Sequence, residues 1–329
     1  MDDEARQRRR AAWSKWLHRL GLLVGIGIVV FAIFLLQRIL SEIDPAEVWA
    51  WLKRIPPTWI WLSVGFTAAS MVTMGLYDLV SCRVAGLEKV RGSVATTAGF
   101  CSYAISNLLG FNVILGGAIR YRIYSAYGTG AADVARILAI GATTVWLAVA
   151  FLFGVVLAAD PHHIPAIVNI GGPVVSRILG IGILVSFLIL LWILGHRGTV
   201  ISVFGWRMVI PSWRGALAQT SLGAVDFALA AAALFVLLPP DILPGFPGFL
   251  LLFVGSLMLG FVSHAPGGLG ILEAGILFGL GALNRPDAIA ALLVYRFIYF
   301  FVPFVVASLV LGYVELRRRT LLRLHGGQP

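Results

Sequence analysis

Between Ile242 and Leu272 the chain carries no Asp, Glu, Lys or Arg, yet this stretch cannot form one straight membrane helix. Pro266 and the glycines Gly267, Gly268 and Gly270 interrupt it. Proline removes a backbone donor and clashes with the preceding turn, and glycine weakens a helix interior. Broken backbone at membrane depth survives only where protein or a water-filled cavity covers it. The stretch Phe261–Gly275, F-V-S-H-A-P-G-G-L-G-I-L-E-A-G, is therefore expected to be the tip and returning helix of a re-entrant hairpin. An ionisable residue in such surroundings is a functional-site candidate by default, which singles out His264 and Glu273.

The rest of the chain supports the membrane reading. Of its 329 residues 59% are hydrophobic and 12% charged, and the mean hydropathy is +0.93. Long apolar runs predict full spans at Leu20–Leu36, Ile55–Tyr77, Ile137–Ala159, Ile178–Gly195, Ala216–Leu238 and Asp287–Val314, each close to the length a bilayer core requires. The loop Ser41–Pro57, with its W-A-W pattern, predicts a helix lying at the interface. The basic start followed by an apolar run resembles a signal peptide, but no small-residue cleavage site follows, so Leu20–Leu36 reads as a first helix. Cys82 and Cys101 both lie in or beside apolar segments, and no disulfide framework is expected.

The formal charge of +10 suggests nucleic acid until its distribution is considered. Arg6, Arg8, Arg9, Arg10, Lys15 and Arg19 precede Leu20, and Arg317, Arg318, Arg319 and Arg323 follow the last span. Arg83, Lys89 and Arg91, then Arg197, Arg207 and Arg214, mark two internal loops. Basic residues beside spans obey the positive-inside rule and meet anionic lipid. Both termini are thus expected in the cytoplasm. That asymmetry holds only if each broken element crosses an even number of times, as two half-helices or as two full crossings.

A second broken element echoes the first. Leu108-Leu109-Gly110-Phe111 matches Met258-Leu259-Gly260-Phe261, and Gly116-Gly117 matches Gly267-Gly268. Arg122 and Glu273 each stand five residues after the second glycine, and Asp133 and Asp287 each open a long apolar run. The expected fold is an all-α polytopic membrane protein of about six full transmembrane helices plus two opposed re-entrant hairpins, related as an inverted repeat. It forms a single membrane domain over 1–329, with repeat units at 92–159 and 249–314 and basic cytoplasmic tails at 1–19 and 315–329.

In transporters built this way the site lies at the repeat interface, where half-helix N-termini face anionic groups. Glycines at Gly116, Gly117, Gly267 and Gly268 would let a phosphate approach the backbone. Arg120, about one turn beyond Gly117, is expected at the first hairpin tip, its guanidinium fork suited to a phosphate. Arg122 is a further candidate, nearer the interface. Asp226 lies near the middle of the fifth predicted span and Arg296 ten residues into the last. With Glu273 they form an expected buried cluster, since a lone charge at such depth costs a few kcal/mol. Pro303 is expected to kink the last helix. His162 and His163 have no metal-ligand spacing to other His or Cys, and phosphate-loop motifs are absent, so no cofactor is expected.

The blocks S-N-L-L-G-F-N-V-I-L-G-G-A-I-R-Y-R-I-Y with D-V-A-R, and H-A-P-G-G-L-G-I-L-E-A-G with Y-R-F-I-Y-F-F-V-P, resemble the lysylphosphatidylglycerol synthase transmembrane-region family. The resemblance covers most of the chain. It implies a bacterial inner-membrane protein that moves a phospholipid, with an anionic or aminoacylated headgroup, between leaflets. Gly116, Gly117, Arg120, Arg122, Gly267, Gly268, Glu273 and Arg296 match the family pattern. Bifunctional members continue into a domain that transfers lysine from tRNA; this sequence stops at Pro329 and is not expected to aminoacylate. Two other classes stay open: a membrane-embedded lipid enzyme using His264 and Glu273 as acid and base, and a non-transporting subunit of an envelope-lipid pathway. Transporters of the DedA type, which also use opposed hairpins, are the nearest alternative family, and a homodimer is allowed.

Overall fold

The structure, a computed structural model, describes residues 45–110, 112–162, 171–196, 200–203, 206–209, 212–262 and 268–325. The chain divides after Pro45, and the elements that position the site belong to the second unit, Ala46–Pro329. The expected first span, Leu20–Leu36, and the tail 1–19 lie outside the described residues.

Among the described residues, five helices are long and apolar enough to cross a membrane, and each overlaps a span expected from the sequence. After a short helix α1 (Pro45–Leu52), whose Trp49 and Trp51 rings lie under Lys53 and Arg54, the first of these is α2 (Pro57–Val84). Pro57 sits at its first turn, where a missing N–H costs nothing. The others are α5 (Ala131–Ala159), α6 (Gly172–His196), α7 (Trp213–Phe235) and the composite helix that begins at Pro286. Asp133 accepts the Gly130 N–H at the start of α5, and Asp287 accepts the Ala288 N–H at the start of the composite helix. Both carboxylates complement the positive end of a helix. Arg285 ties that second start down by binding Asp241 and Asp287. Its guanidinium holds the Asp241 carboxyl below the ordinary carboxylate range.

The composite helix comprises α10 (Pro286–Arg296), a π turn (Phe297–Phe301) and α11 (Val302–His325). Pro303 has no N–H for Tyr299 and its ring crowds that carbonyl, and the helix widens over the preceding turn. The Val302 N–H reaches back five residues to Phe297. The basic segment expected as a tail continues α11 as far as His325.

One departure from a purely helical chain lies in the basic loop, where β1 (Val200–Val203) pairs antiparallel with β2 (Trp206–Val209). Alternating Val, Ile, Met and Trp suit a pleated ribbon, and this two-stranded ribbon escaped a reading based on helical periodicity.

Each broken element is a helical hairpin with a short returning arm. The first joins α3 (Gly92–Leu109) to α4 (Asn112–Tyr124), broken at Gly110 with φ 79°. The second joins α8 (Phe246–Val262) to α9 (Ile271–Gly279). At 1.5 Å per residue α4 is about 20 Å long and α9 about 14 Å, short of the ~30 Å hydrocarbon core. α3 packs on α2 and α11, α8 on α7, and α5 on α6 and α7, around one large apolar core.

The arms of the second hairpin meet through small residues. A Cβ on Gly275 would stand 2.8 Å from Ser256 Cβ, closer than side chains tolerate. Gly275→Ala is expected to wedge α9 away from α8 and to cost about 1–3 kcal/mol, as overpacking does. A lower melting temperature of the detergent-purified protein checks it, and an unchanged one counts against the close approach.

Candidate functional site

Both hairpins border one cavity of about 570 Å³. Tyr103, Ser106, Asn107, Gly110 and Arg120 face it from the first hairpin, and Phe253, Leu257, Gly260, Gly268 and Leu272 from the second. α2 adds Tyr77, α7 adds Asp226, and the composite helix adds Tyr295 and Tyr299.

Arg120 is 2% exposed. Its Nε donates to Asp78 Oδ2 at 2.8 Å and its Nη2 to Asp78 Oδ1 at 2.7 Å, a two-point pair between α4 and α2. The Tyr124 hydroxyl donates to Asp78 Oδ2 at 2.8 Å, and the guanidinium lies 4.7 Å from the Tyr103 ring centre. The arginine therefore sits well inside α4, eight residues after its start at Asn112, rather than at the hairpin turn that opens at Gly110. The glycine doublet lies inside the helix too: a Cβ on Gly116 would stand 2.9 Å from Arg120 Nη1, and one on Gly117 3.1 Å from Leu138 Cδ1. Gly116 thus makes room for the guanidinium and Gly117 for α5, so neither offers backbone N–H groups at a half-helix end. Arg122 is exposed and does not line the cavity.

At the second hairpin Arg296 donates from Nε to Glu273 Oε1 and from Nη2 to Glu273 Oε2 at 3.0 Å. Nη2 also donates to the Gly268 carbonyl at 3.1 Å, and Glu273 Oε2 accepts the Gly270 N–H at 2.8 Å. Glu273 caps α9 while Arg296 clips the bend to α10. Gly268 (φ 61°) and Gly270 (φ 81°) adopt the left-handed conformations that this bend requires. His264 and Gly267 lie outside the described residues. The two glycine doublets therefore differ in setting, since Gly116-Gly117 is helical and Gly268 belongs to a bend.

The expected cluster of Asp226, Glu273 and Arg296 divides. The last two pair, and Asp226 stands apart among hydroxyls. Ser70 Oγ lies against its Oδ1, Thr73 Oγ1 lies 3.0 Å from Oδ1, and the Tyr77 hydroxyl lies 3.3 Å from Oδ2. Tyr299 lies 2.7 Å from Ser70 Oγ and stacks on Tyr295 at 5.1 Å. The buried Tyr295 hydroxyl has no hydrogen-bond partner.

Several of these residues were missed in the sequence. Asp78 follows a charge-free run and reads there as the end of a span, whereas α2 continues to Val84 and carries Asp78 inside it. The signal was present in Arg120 itself, since a buried cation demands a counter-ion. Ser70, Thr73, Tyr77, Tyr295 and Tyr299 are uncharged, so a search for charges passed over them. No group of His, Cys, Asp and Glu among the described residues is arranged to hold a metal.

Comparison with known proteins now adds kinship to this geometry. The inner membrane protein YbhN of Escherichia coli is 30% identical over 299 residues, which is 89% of this chain and 91% of YbhN. The uncharacterized protein slr0712 of Synechocystis is 36% identical over 66% of this chain and 68% of its own length. The phosphatidylglycerol lysyltransferase of Staphylococcus aureus is 23% identical over 85% of this chain but only 32% of its own. The chain belongs to the lysylphosphatidylglycerol synthase transmembrane-region family. No family model matches it. As a member of this family it is an integral membrane protein, and its match to the lysyltransferase covers about a third of that enzyme.

Removing one member of a buried ion pair strands the other, at a cost of about 3–5 kcal/mol. Asp78→Ala is therefore expected to destabilise the protein by that order. Asp78→Leu with Arg120→Met, which removes both charges, is expected to recover much of the loss. Thermal unfolding of wild type and the two variants in detergent checks this, and equal melting temperatures for the single and double variants would refute it.

Proposed function

We propose that this protein is a bacterial inner-membrane lipid transporter that passes phospholipid headgroups between leaflets through the cavity bordered by its two hairpins. In this reading the hairpins are re-entrant and opposed, the units at 92–159 and 249–314 form an inverted repeat, and both termini face the cytoplasm. The short arms α4 and α9 support it, since neither has the length of a span. So does the kinship with the lysyltransferase, whose name places it on phosphatidylglycerol.

One observation carries the reading, namely a cavity with a polar floor and an apolar rim open at the side. At the rim Val113 is 71%, Ile114 69% and Trp146 60% exposed, while Arg120 and Asp226 are buried at the floor. A volume of about 570 Å³ lies within the range of small-molecule sites. An amphiphile matches both surfaces, with a headgroup on the hydroxyls and amide of Asn107, Tyr295 and Tyr299 and acyl chains leaving past Trp146 into lipid. Arg120 and Glu273 then act on the substrate through the hairpins they hold, more than by direct grip. Both oxygens of Glu273 are occupied by Arg296 and Gly270, which leaves it poorly placed for acid–base chemistry on a lipid.

Ala142 faces the rim and is itself exposed, so a large side chain there fills the mouth without crowding the core. Ala142→Trp is expected to slow the exchange of a labelled phospholipid across proteoliposomes at least about tenfold, the effect of roughly 1.4 kcal/mol on a barrier, with the melting temperature retained. Equal exchange by wild type and this variant would remove the cavity as a lipid path.

A further inference from the structure

Among the described residues, Asp226 is the carboxylate on the cavity wall, and no Lys, Arg or His lies within ion-pair distance of it. It is 5% exposed. An ionised carboxylate so placed costs several kcal/mol, and such groups escape that cost by taking up a proton.

The hydrogen count around it supports that outcome. Five oxygen pairs lie within hydrogen-bonding distance: Ser70 Oγ with Asp226 Oδ1, Thr73 Oγ1 with Asp226 Oδ1, Tyr77 OH with Asp226 Oδ2, Tyr299 OH with Ser70 Oγ, and Thr73 Oγ1 with the Ser70 carbonyl. Each pair forms a full, unshared hydrogen bond only with a hydrogen of its own between its oxygens. The hydroxyls of Ser70, Thr73, Tyr77 and Tyr299 supply four, one apiece. A threonine in a helix gives its hydrogen to the preceding turn, here to the Ser70 carbonyl at 2.7 Å. The Thr73–Asp226 pair at 3.0 Å then lacks a hydrogen unless the carboxyl itself carries one and donates it to Thr73 Oγ1. With that fifth hydrogen every pair is satisfied. Tyr77 donates to Oδ2, Tyr299 to Ser70, and Ser70 to Oδ1.

We infer that Asp226 is an exchangeable-proton site, and that an anionic headgroup in the cavity binds together with that proton. This deepens the transport reading and rests on it. A phosphate and an ionised Asp226 would repel each other inside one cavity, whereas the protonated acid accommodates the phosphate. Proton uptake and headgroup entry therefore favour one another by linkage. On release at the other face the proton leaves to water and the carboxylate re-forms, so the proton gradient drives net movement.

The groups facing Asp226 are compatible with this role. α2 presents Tyr77, α3 presents Tyr103, and the composite helix presents Tyr295 and Tyr299. The Arg120 of α4 is already matched by Asp78. α5 and α8 present no charged or titratable side chain to the cavity among the described residues. The unpartnered Tyr295 hydroxyl, buried on the same wall, is a donor ready for the incoming phosphate.

The test uses the full chain in vesicles of phosphatidylcholine, with and without phosphatidylglycerol, read by infrared difference spectroscopy. The carbonyl band of a protonated carboxylic acid is expected at neutral pH, removed by Asp226→Asn and titrated away on alkalinisation. Phosphatidylglycerol is expected to extend it to higher pH. An imposed pH gradient is expected to speed phosphatidylglycerol movement in wild type and to have no effect in Asp226→Asn. Absence of an Asp226-dependent band, or a band indifferent to phosphatidylglycerol, overturns the inference, as does an equal gradient response in the two proteins. If phosphatidylglycerol moves in neither protein, the transport reading fails, and the infrared titration alone decides the linked proton site.

Discussion

Arg120 reaches from α4 to α2 and closes a two-point ion pair on Asp78 that is almost wholly shut off from solvent. Much of the first hairpin follows from that contact. Two charge-assisted hydrogen bonds tie this thirteen-residue arm to a full-length helix. Gly116 is small because the guanidinium lies over it, and Tyr124 takes up the remaining capacity of Asp78 Oδ2. The second hairpin is anchored in the same manner with the charges exchanged. There the acid, Glu273, is on the short arm and the arginine, Arg296, is on the long helix. In each case the desolvation of two charges is offset by geometry and by additional donors, the condition under which a buried pair holds.

These anchors alter how the arginines are understood. From the sequence, Arg120 and Arg296 stand as cations available to an anionic ligand. In the fold each already has a carboxylate at two points, so the pair presents almost no net charge to the cavity. What remains on the wall is Asp226 with its hydroxyls, the amide of Asn107 and the tyrosines. Among the described residues the wall thus carries one acid, Asp226, whose protonation state decides its charge. A ligand of either sign meets a surface that one proton can switch.

The spans were legible in the sequence because apolar length is a one-dimensional property. Ile137–Ala159, Ile178–Gly195 and Asp287–Val314 fall within helices of the structure, Ile55–Tyr77 starts two residues before α2, and Ala216–Leu238 ends three residues after α7. Asp133 and Asp287 announced their helix starts for the same local reason, a carboxylate in the first turn. The second break falls where Pro266 and its glycines placed it, between Val262 and Ile271, whereas the first was legible as existing but not in its exact position. Gly110 and Gly116-Gly117 are all glycines in apolar sequence, and only the three-dimensional neighbours separate one that turns the chain from one that makes room for a guanidinium. The partners of buried charges were the least legible. Asp78 lies 42 positions before Arg120, and Ser70 lies 156 positions before Asp226. No periodicity joins residues so far apart, and the polar hydroxyls that complete the site carry no charge to draw attention to them.

The π turn shows how a local defect serves the site. Pro303 cannot donate to Tyr299, and the helix absorbs the loss by widening over Phe297–Phe301. Tyr295 and Tyr299, four residues apart, share the cavity face as in any α-helix, and the wider turn brings Phe300, five beyond Tyr295, to that face as well. Tyr299 thereby reaches Ser70, and through it Asp226, while Phe300 lies under the Arg296 guanidinium at 4.6 Å. One proline therefore connects the anchor of the second hairpin with the hydroxyl ring around Asp226. On this argument Pro303 shapes the polar floor of the cavity although it lies outside the wall itself.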